Sequence, residues 1–217
     1  MPSKYQRLRP HGMSLSPAND LLAIAHSSSK QFESGLSLHR IQYKSPRKRS
    51  LQLKHVLGTQ WLSSGTPKGI AFCPDSTCVA VTLCDADQVV LVDVRWNSLF
   101  AKTPKATLIM KPGSRPEDIK FSPDGRVFAV SSSKMSEILF YSFDPTSNTF
   151  GRNLPIAQLK SPEARLHFPH GIAFSKDGTV FAVTQFGDVV IAKDDSIKWR
   201  SHLPSSEGRI LFYRVDP

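Results

Sequence analysis

Four groups able to move protons or hold charge stand at one position of a repeated phrase. The phrase opens on a proline, and the residue after it is His11, Lys68, Glu117 or His170. An imidazole can take a proton near neutral pH, a carboxylate can do the same or orient it, and a cation can stabilise an oxyanion. Brought to one concave surface, such groups would also bind an anionic or sugar-like ligand. Arg115 precedes the third proline, Asp118 stands where the other copies carry Gly, and His167 lies just before the fourth. The catalytic candidates are therefore His11, Arg115, Glu117 and His170. The ligand-binding candidates are His11, Lys68, Glu117, Asp118, His167 and His170. The plainer alternative is that these side chains solvate a loop or bond a neighbouring repeat.

The elements that would position them are written in the same phrase. After each proline come an apolar run, a Pro-Asp-Gly-type turn and a second apolar run. The third copy reads Pro116-Glu-Asp-Ile-Lys-Phe-Ser-Pro-Asp-Gly-Arg-Val-Phe-Ala-Val130. The leading prolines are Pro10, Pro67, Pro116 and Pro169, so the repeats span about 10–66, 67–115, 116–168 and 169–217, within a single domain over 1–217. Periods near 50 residues indicate blades of a β-propeller. Each copy predicts a first strand (Met13–Ser16, Ile70–Cys73, Ile119–Ser122, Ile172–Ser175) and a second (Leu21–Ala25, Val79–Leu83, Val127–Ser131, Val180–Thr184). Third strands follow at Leu36–Ile41, Val89–Val94, Ile138–Phe143 and Ile210–Val215, and outer strands at Leu51–Val56, Ala106–Met110 and Ile156–Lys160. Gly, Pro, Ser and Asp interrupt every candidate helix. The fold class is an all-β β-propeller of about four blades, a small closed ring, part of a larger ring, or half of one. In the fourth copy a long insertion, Gln185 to Glu207, separates the second and third strands. Lys4–Leu8 could supply the outer strand that the last blade lacks, or a homodimer of two half-rings could close the circle.

In such a meander the first strands line the central channel, so the residues after the prolines share its mouth. Asp75, Asp124 and Asp177 recur in the turns, where Asp serves turn geometry. They are not read as an anion site.

The phrase Pro169-His-Gly-Ile-Ala-Phe-Ser-Lys-Asp-Gly-Thr-Val-Phe-Ala-Val-Thr184, and the stretch Val81-Thr-Leu-Cys-Asp-Ala-Asp-Gln-Val-Val-Leu-Val-Asp93, resemble the repeats of the YVTN/lactonase-like propeller superfamily. The Gly-His and Trp-Asp signatures of WD repeats are absent. The resemblance covers about residues 8–216 and implies a propeller, usually of seven blades where complete. It also implies that His, Glu and Arg near the channel mouth could open a lactone.

Composition sets further bounds. The 217 residues carry a formal net charge of +10. Residues 1–54 hold ten Lys/Arg against two Asp/Glu, and Lys44, Arg47, Lys48 and Arg49 form the densest point. That patch could hold an acidic partner, but no aromatics are interleaved to stack on bases, which disfavours nucleic acid. No apolar run approaches membrane-span length, and the charged N-terminus lacks a signal-peptide pattern. Cys73, Cys78 and Cys84 are odd in number and read as reduced, partly buried thiols of a cytoplasmic protein, with no disulfide, metal site or cofactor expected. The favoured function is a non-catalytic binding or scaffold protein that uses the channel mouth and its loops, with a protein or small anionic ligand as partner. The alternative is a lactonase-like hydrolase, and the third reading is an acidic-partner or nucleic-acid binder.

Overall fold

The computed structural model describes residues 9–27, 35–45, 48–57, 65–94, 104–186, 189–191, 197–199 and 208–215. Four antiparallel meanders follow one another. The first holds β1 (Arg9–Leu15), β2 (Leu21–Ser27), β3 (Gly35–Ser45) and β4 (Lys48–Leu57) in that order. The second holds β5 (Pro67–Phe72), β6 (Cys78–Leu83), β7 (Gln88–Asp93) and β8 (Ala106–Ile109). In the third, β9 (Pro116–Phe121), β10 (Val127–Ser132) and β11 (Glu137–Asp144) are flanked by β12 (Thr149–Phe150) and β13 (Ala157–Lys160), both paired with β11. The fourth is β14 (Pro169–Phe174), β15 (Val180–Gln185) and β18 (Arg209–Arg214). Within its insertion, β16 (Val189–Ile191) and β17 (Ile197–Trp199) form a separate hairpin. This is the predicted propeller. Among the described residues no helix is long and apolar enough to cross a membrane. Lys4–Leu8 lies outside the described residues.

The turn chemistry is the same in all four blades. Asn19, Ser76, Gly125 and Gly178 occupy one slot, each at positive φ (56°, 63°, 70° and 75°). Each donates its N–H to the carbonyl three residues back, at Ser16, Cys73, Ser122 and Ser175. Asp75, Asp124 and Asp177 each accept the N–H two residues on, from Thr77, Arg126 and Thr179. They are turn residues, as expected. Hydroxyl bonds from Ser122 and Ser175, and then these N–H bonds, hold Asp124 and Asp177 below the usual Asp range; at Asp75 burial pushes upward, but the bonds from Thr77 and Asn148 outweigh it. A serine hydroxyl also clamps three of the turns. Ser16, Ser122 and Ser175 Oγ accept the N–H of Leu21, Val127 and Val180 at 3.0, 3.1 and 2.9 Å.

In the second blade the clamp position is Cys73 and the clamped residue is Cys78. Their Cα atoms stand 5.3 Å apart and the sulfurs are bonded. The expectation of three reduced thiols therefore fails for two of them. The tight turn brings the pair together, and a covalent link spans the same five residues as the serine clamp. Cys84 remains a free, buried thiol.

Blades join face to face through apolar clusters. Leu21, Ala23 and Ala25 of β2 pack on Ile70, Phe72 and Val79 of the second blade. Phe128 and Tyr141 of the third blade stack at 5.3 Å beside Leu91 and Leu108 of the second. Phe140 meets Phe181 of the fourth at 5.2 Å. Full burial of each such side chain contributes roughly 1.5–3 kcal/mol.

At the channel the packing is backbone on backbone. A Cβ on Gly69 would lie 2.5 Å from Asp118 Cα and 2.8 Å from Glu117 O. Gly69→Ala is therefore expected to destabilise the fold by roughly 1–3 kcal/mol through overpacking. A urea midpoint equal to the wild type's would refute that close approach. The disulfide has its own check. Unfolded without reductant, the chain should be alkylated at Cys84 alone, and Cys73→Ser with Cys78→Val should lose up to about 2 kcal/mol of stability by loop entropy.

Candidate functional site

The inner strands carry the site because each is kinked beside its proline. The register of β1 on β2 shifts between Pro10 and Gly12, and that of β5 on β6 between Pro67 and Ile70. The pairings of β9 with β10 and of β14 with β15 shift at the same place, next to Pro116 and between Pro169 and Ile172. Such bulges re-aim a side chain. Here they turn the residue after each proline toward its counterparts.

His11, Lys68, Glu117 and His170 consequently come together, one from each blade. Lys68 Nζ lies 3.3 Å from His11 Nε2 and 3.7 Å from Glu117 Oε2. His170 Nε2 lies 3.5 Å from Glu117 Oε2. The His11 and His170 rings are 5.7 Å apart, so the first and last blades meet at this point and the four groups form a closed circle. All four members belong to this chain.

The carboxylate sits deepest. Glu117 is 5% exposed, and its Oε1 accepts the Cys84 thiol at 3.5 Å. Burial, and then Glu117, push that thiol up to about 12, so it remains a proton donor. Glu117 Oε2 has no hydrogen-bond partner among the described residues and faces the Lys68 and His170 nitrogens. Phe186, at the start of the fourth-blade insertion, packs its ring edge-on to His170 at 4.8 Å. Lys68 can only donate, so the facing His11 Nε2 is an unprotonated acceptor. His11 is exposed at the rim, yet partial desolvation by its neighbours, and next the Lys68 ammonium, lower it from its ordinary value of 6.5.

Other predicted residues lie elsewhere. Arg115 is held behind the mouth: Asp87 accepts its N–H at 2.7 Å, and its side chain hydrogen-bonds the Cys84 thiol. It therefore backs Glu117 from the side away from the circle. Asp118 is structural, because its carboxylate accepts Lys120 Nζ at 2.7 Å and the backbone N–H of Ile172 in the next blade at 3.1 Å. His167 is exposed and anchored by its N–H to Gln185 Oε1 at 2.9 Å, outside the circle. The basic segment is a hairpin rather than an open loop, with Tyr43 paired to Arg49 and Ser45 to Lys48. Arg47 lies outside the described residues. The sequence reading missed Cys84, Asp87 and Phe186. Cys84 was treated only as one of an odd set of thiols, and no motif marks the other two.

No protein-family model matches this chain, and no curated protein matches it. Solved structures do. The periplasmic gluconolactonase PpgL of Pseudomonas aeruginosa superposes with a TM-score of 0.62 at 16% identity, over 87% of this chain and 55% of that one. A Bacteroides fragilis protein provisionally called a 6-phosphogluconolactonase gives a TM-score of 0.62 at 12% identity, over 99% of this chain and 60% of that one. A Lactobacillus plantarum protein gives 0.53 at 17% identity, over 87% and 69%. The fold shared with these proteins is that of a β-propeller. At these identities the likeness concerns the fold, and the chain spans little more than half the length of the first two proteins.

The geometry around His11 makes a pH prediction. Its ring should titrate below 6.5, and Lys68→Met should move the midpoint upward by removing a neighbouring positive charge. Imidazole proton shifts followed by NMR read this directly. A Lys68→Met midpoint no higher than the wild type's would contradict the Lys68 contact.

Proposed function

We propose that the four-blade mouth is a hydrolytic site that opens lactones. The observation that carries this reading is the closed circle of His11, Lys68, Glu117 and His170, which sets an unprotonated imidazole nitrogen 3.3 Å from an ammonium. A lactone carbonyl placed at that pair would have a general base on one side and a cation for its oxygen on the other. His11 Nε2 takes a proton from water as the water oxygen attacks the carbonyl carbon. Lys68 stabilises the resulting oxyanion. Collapse breaks the ring C–O bond, and the imidazolium returns the proton to the leaving alkoxide, so that lactone and water become one hydroxy acid. Glu117 is a positioning residue, since from a buried seat it holds the Lys68 ammonium by charge and faces His170 Nε2.

The fold shared with the Pseudomonas gluconolactonase supports this reading over a purely binding or scaffolding role. Lys68, paired with Glu117 alone among the carboxylates of the described residues, suits substrates bearing further oxygens or an anionic group.

The test is hydrolysis of a panel of γ- and δ-lactones, including sugar lactones, followed by pH-stat. Turnover above the uncatalysed rate is expected, with His11→Ala and Lys68→Met each lowering kcat/KM on the order of 10²–10⁴-fold. A correctly folded chain that hydrolyses none of the panel refutes the reading.

A further inference from the structure

The same circle has a second chemical capacity, which does not depend on hydrolysis. Two imidazoles and a carboxylate, from three different blades, offer ligand atoms that all lie within 4.8 Å of one another. We propose that His11, Glu117 and His170 bind one divalent transition ion of the zinc class, which must displace Lys68 to enter.

One side of the triad already has the spacing of such an ion, and the exposed His11 ring must swing inward to complete it. Bonds of about 2.0–2.1 Å in a tetrahedral shell leave ligand atoms roughly 3.3–3.5 Å apart. His170 Nε2 and Glu117 Oε2 already stand at 3.5 Å. His11 closes the third side across the 5.7 Å between the two rings. The donor set selects the metal. Imidazole nitrogens favour zinc, copper and nickel, whereas calcium and magnesium require a shell of oxygens that this site lacks.

Glu117 Oε2 supplies the independent sign of a missing cation. It belongs to a side chain 5% exposed and has no hydrogen-bond partner among the described residues. A buried carboxylate oxygen without a donor is costly, and a direct metal bond would satisfy it. Its sibling Oε1 is already engaged by Cys84, an outer contact of the kind that orients a metal-binding carboxylate.

Lys68 is the gate. Its ammonium sits against two of the three ligands and neutralises the site while no ion is bound. An ammonium and a dication cannot share that space. Lys68 is only partly covered and rides on a flexible four-carbon stem, so it can leave toward the channel. The lysine and the metal are therefore competitors for one carboxylate.

Full-length, metal-stripped protein titrated with Zn²⁺ against a chromophoric chelator tests this. One tightly held equivalent is expected, and Co²⁺ should give the intense visible bands of a four-coordinate site. His11→Ala, His170→Ala and Glu117→Gln should each weaken binding at least tenfold, while Lys68→Met should tighten it. His11 is surface-exposed, so its variant reports on the site even if Glu117→Gln unfolds the chain. The proposal fails if no equivalent is retained, if His11→Ala binds as the wild type does, or if Lys68→Met binds more weakly. Hydrolysis measured in chelator judges the lactonase reading separately, and zinc should inhibit it by evicting Lys68.

Discussion

Everything at the mouth depends on how one blade holds the leading proline segment of the next. Among the described residues no β ladder crosses between blades, so the heights of the inner strands are set by isolated contacts. Hydroxyls do most of this. Ser27 Oγ donates to Pro67 O at 2.9 Å, which fixes the peptide before Lys68. Thr82 Oγ1 reaches Glu117 O at 3.4 Å, and Ser131 Oγ reaches His170 O at 2.7 Å. Thr82 and Ser131 also accept N–H groups of their own inner strands, at Gly69 and Asp118. One small hydroxyl thus pins two adjacent strands at once. Glycines at 12 and 69 allow the backbones to approach closely enough for it to do so. The strands in turn set the spacing of the four mouth side chains.

That spacing has an electrostatic consequence. One buried carboxylate serves an ammonium and two imidazoles, so a single negative charge is shared among three basic groups. It can compensate one positive charge well. Lys68 claims that role, and the ammonium beside His11 opposes a second positive charge there. An unprotonated imidazole next to a cation follows from the charge count, and an unprotonated imidazole is the form able to take a proton. The same count explains why the site would accept a dication only if Lys68 gives way.

Much of the fold was legible in the sequence because the repeat states it four times. The Pro-Asp-Gly turns, the Val-Phe-Ala-Val strands and the fourth-blade insertion each mark a place that the structure confirms in outline. The mouth positions were legible too, since a residue one step after a repeated proline must recur at one height of the channel. The details were not. Cys73 and Cys78 were counted with Cys84 as an odd set, whereas their meaning lies in the Ser-to-backbone clamp that they replace. Arg115 was read as a mouth residue because it precedes a proline, yet its backbone stands at positive φ with its N–H on Asp87, and its side chain hydrogen-bonds Cys84. Asp118 looked like a charged variant of a glycine, but it bonds the next blade. The cluster of His11, Glu117 and His170 has no spacing signature, because its members come from three separate repeats.

The outer faces of the end blades extend the same logic. Met13 and Leu15 are 65% and 50% exposed on the first blade, and they repeat Ile70 and Phe72, which are buried against a preceding blade. Ile210 and Phe212 are 60% and 70% exposed on the fourth, and they repeat Ile138 and Phe140, which pack on a following blade. Each end therefore presents the chemistry of an internal joint. Yet the rings of His11 and His170, on these same two blades, meet at the mouth. The circle of four groups therefore closes at the channel while these apolar side chains of the end blades stay exposed.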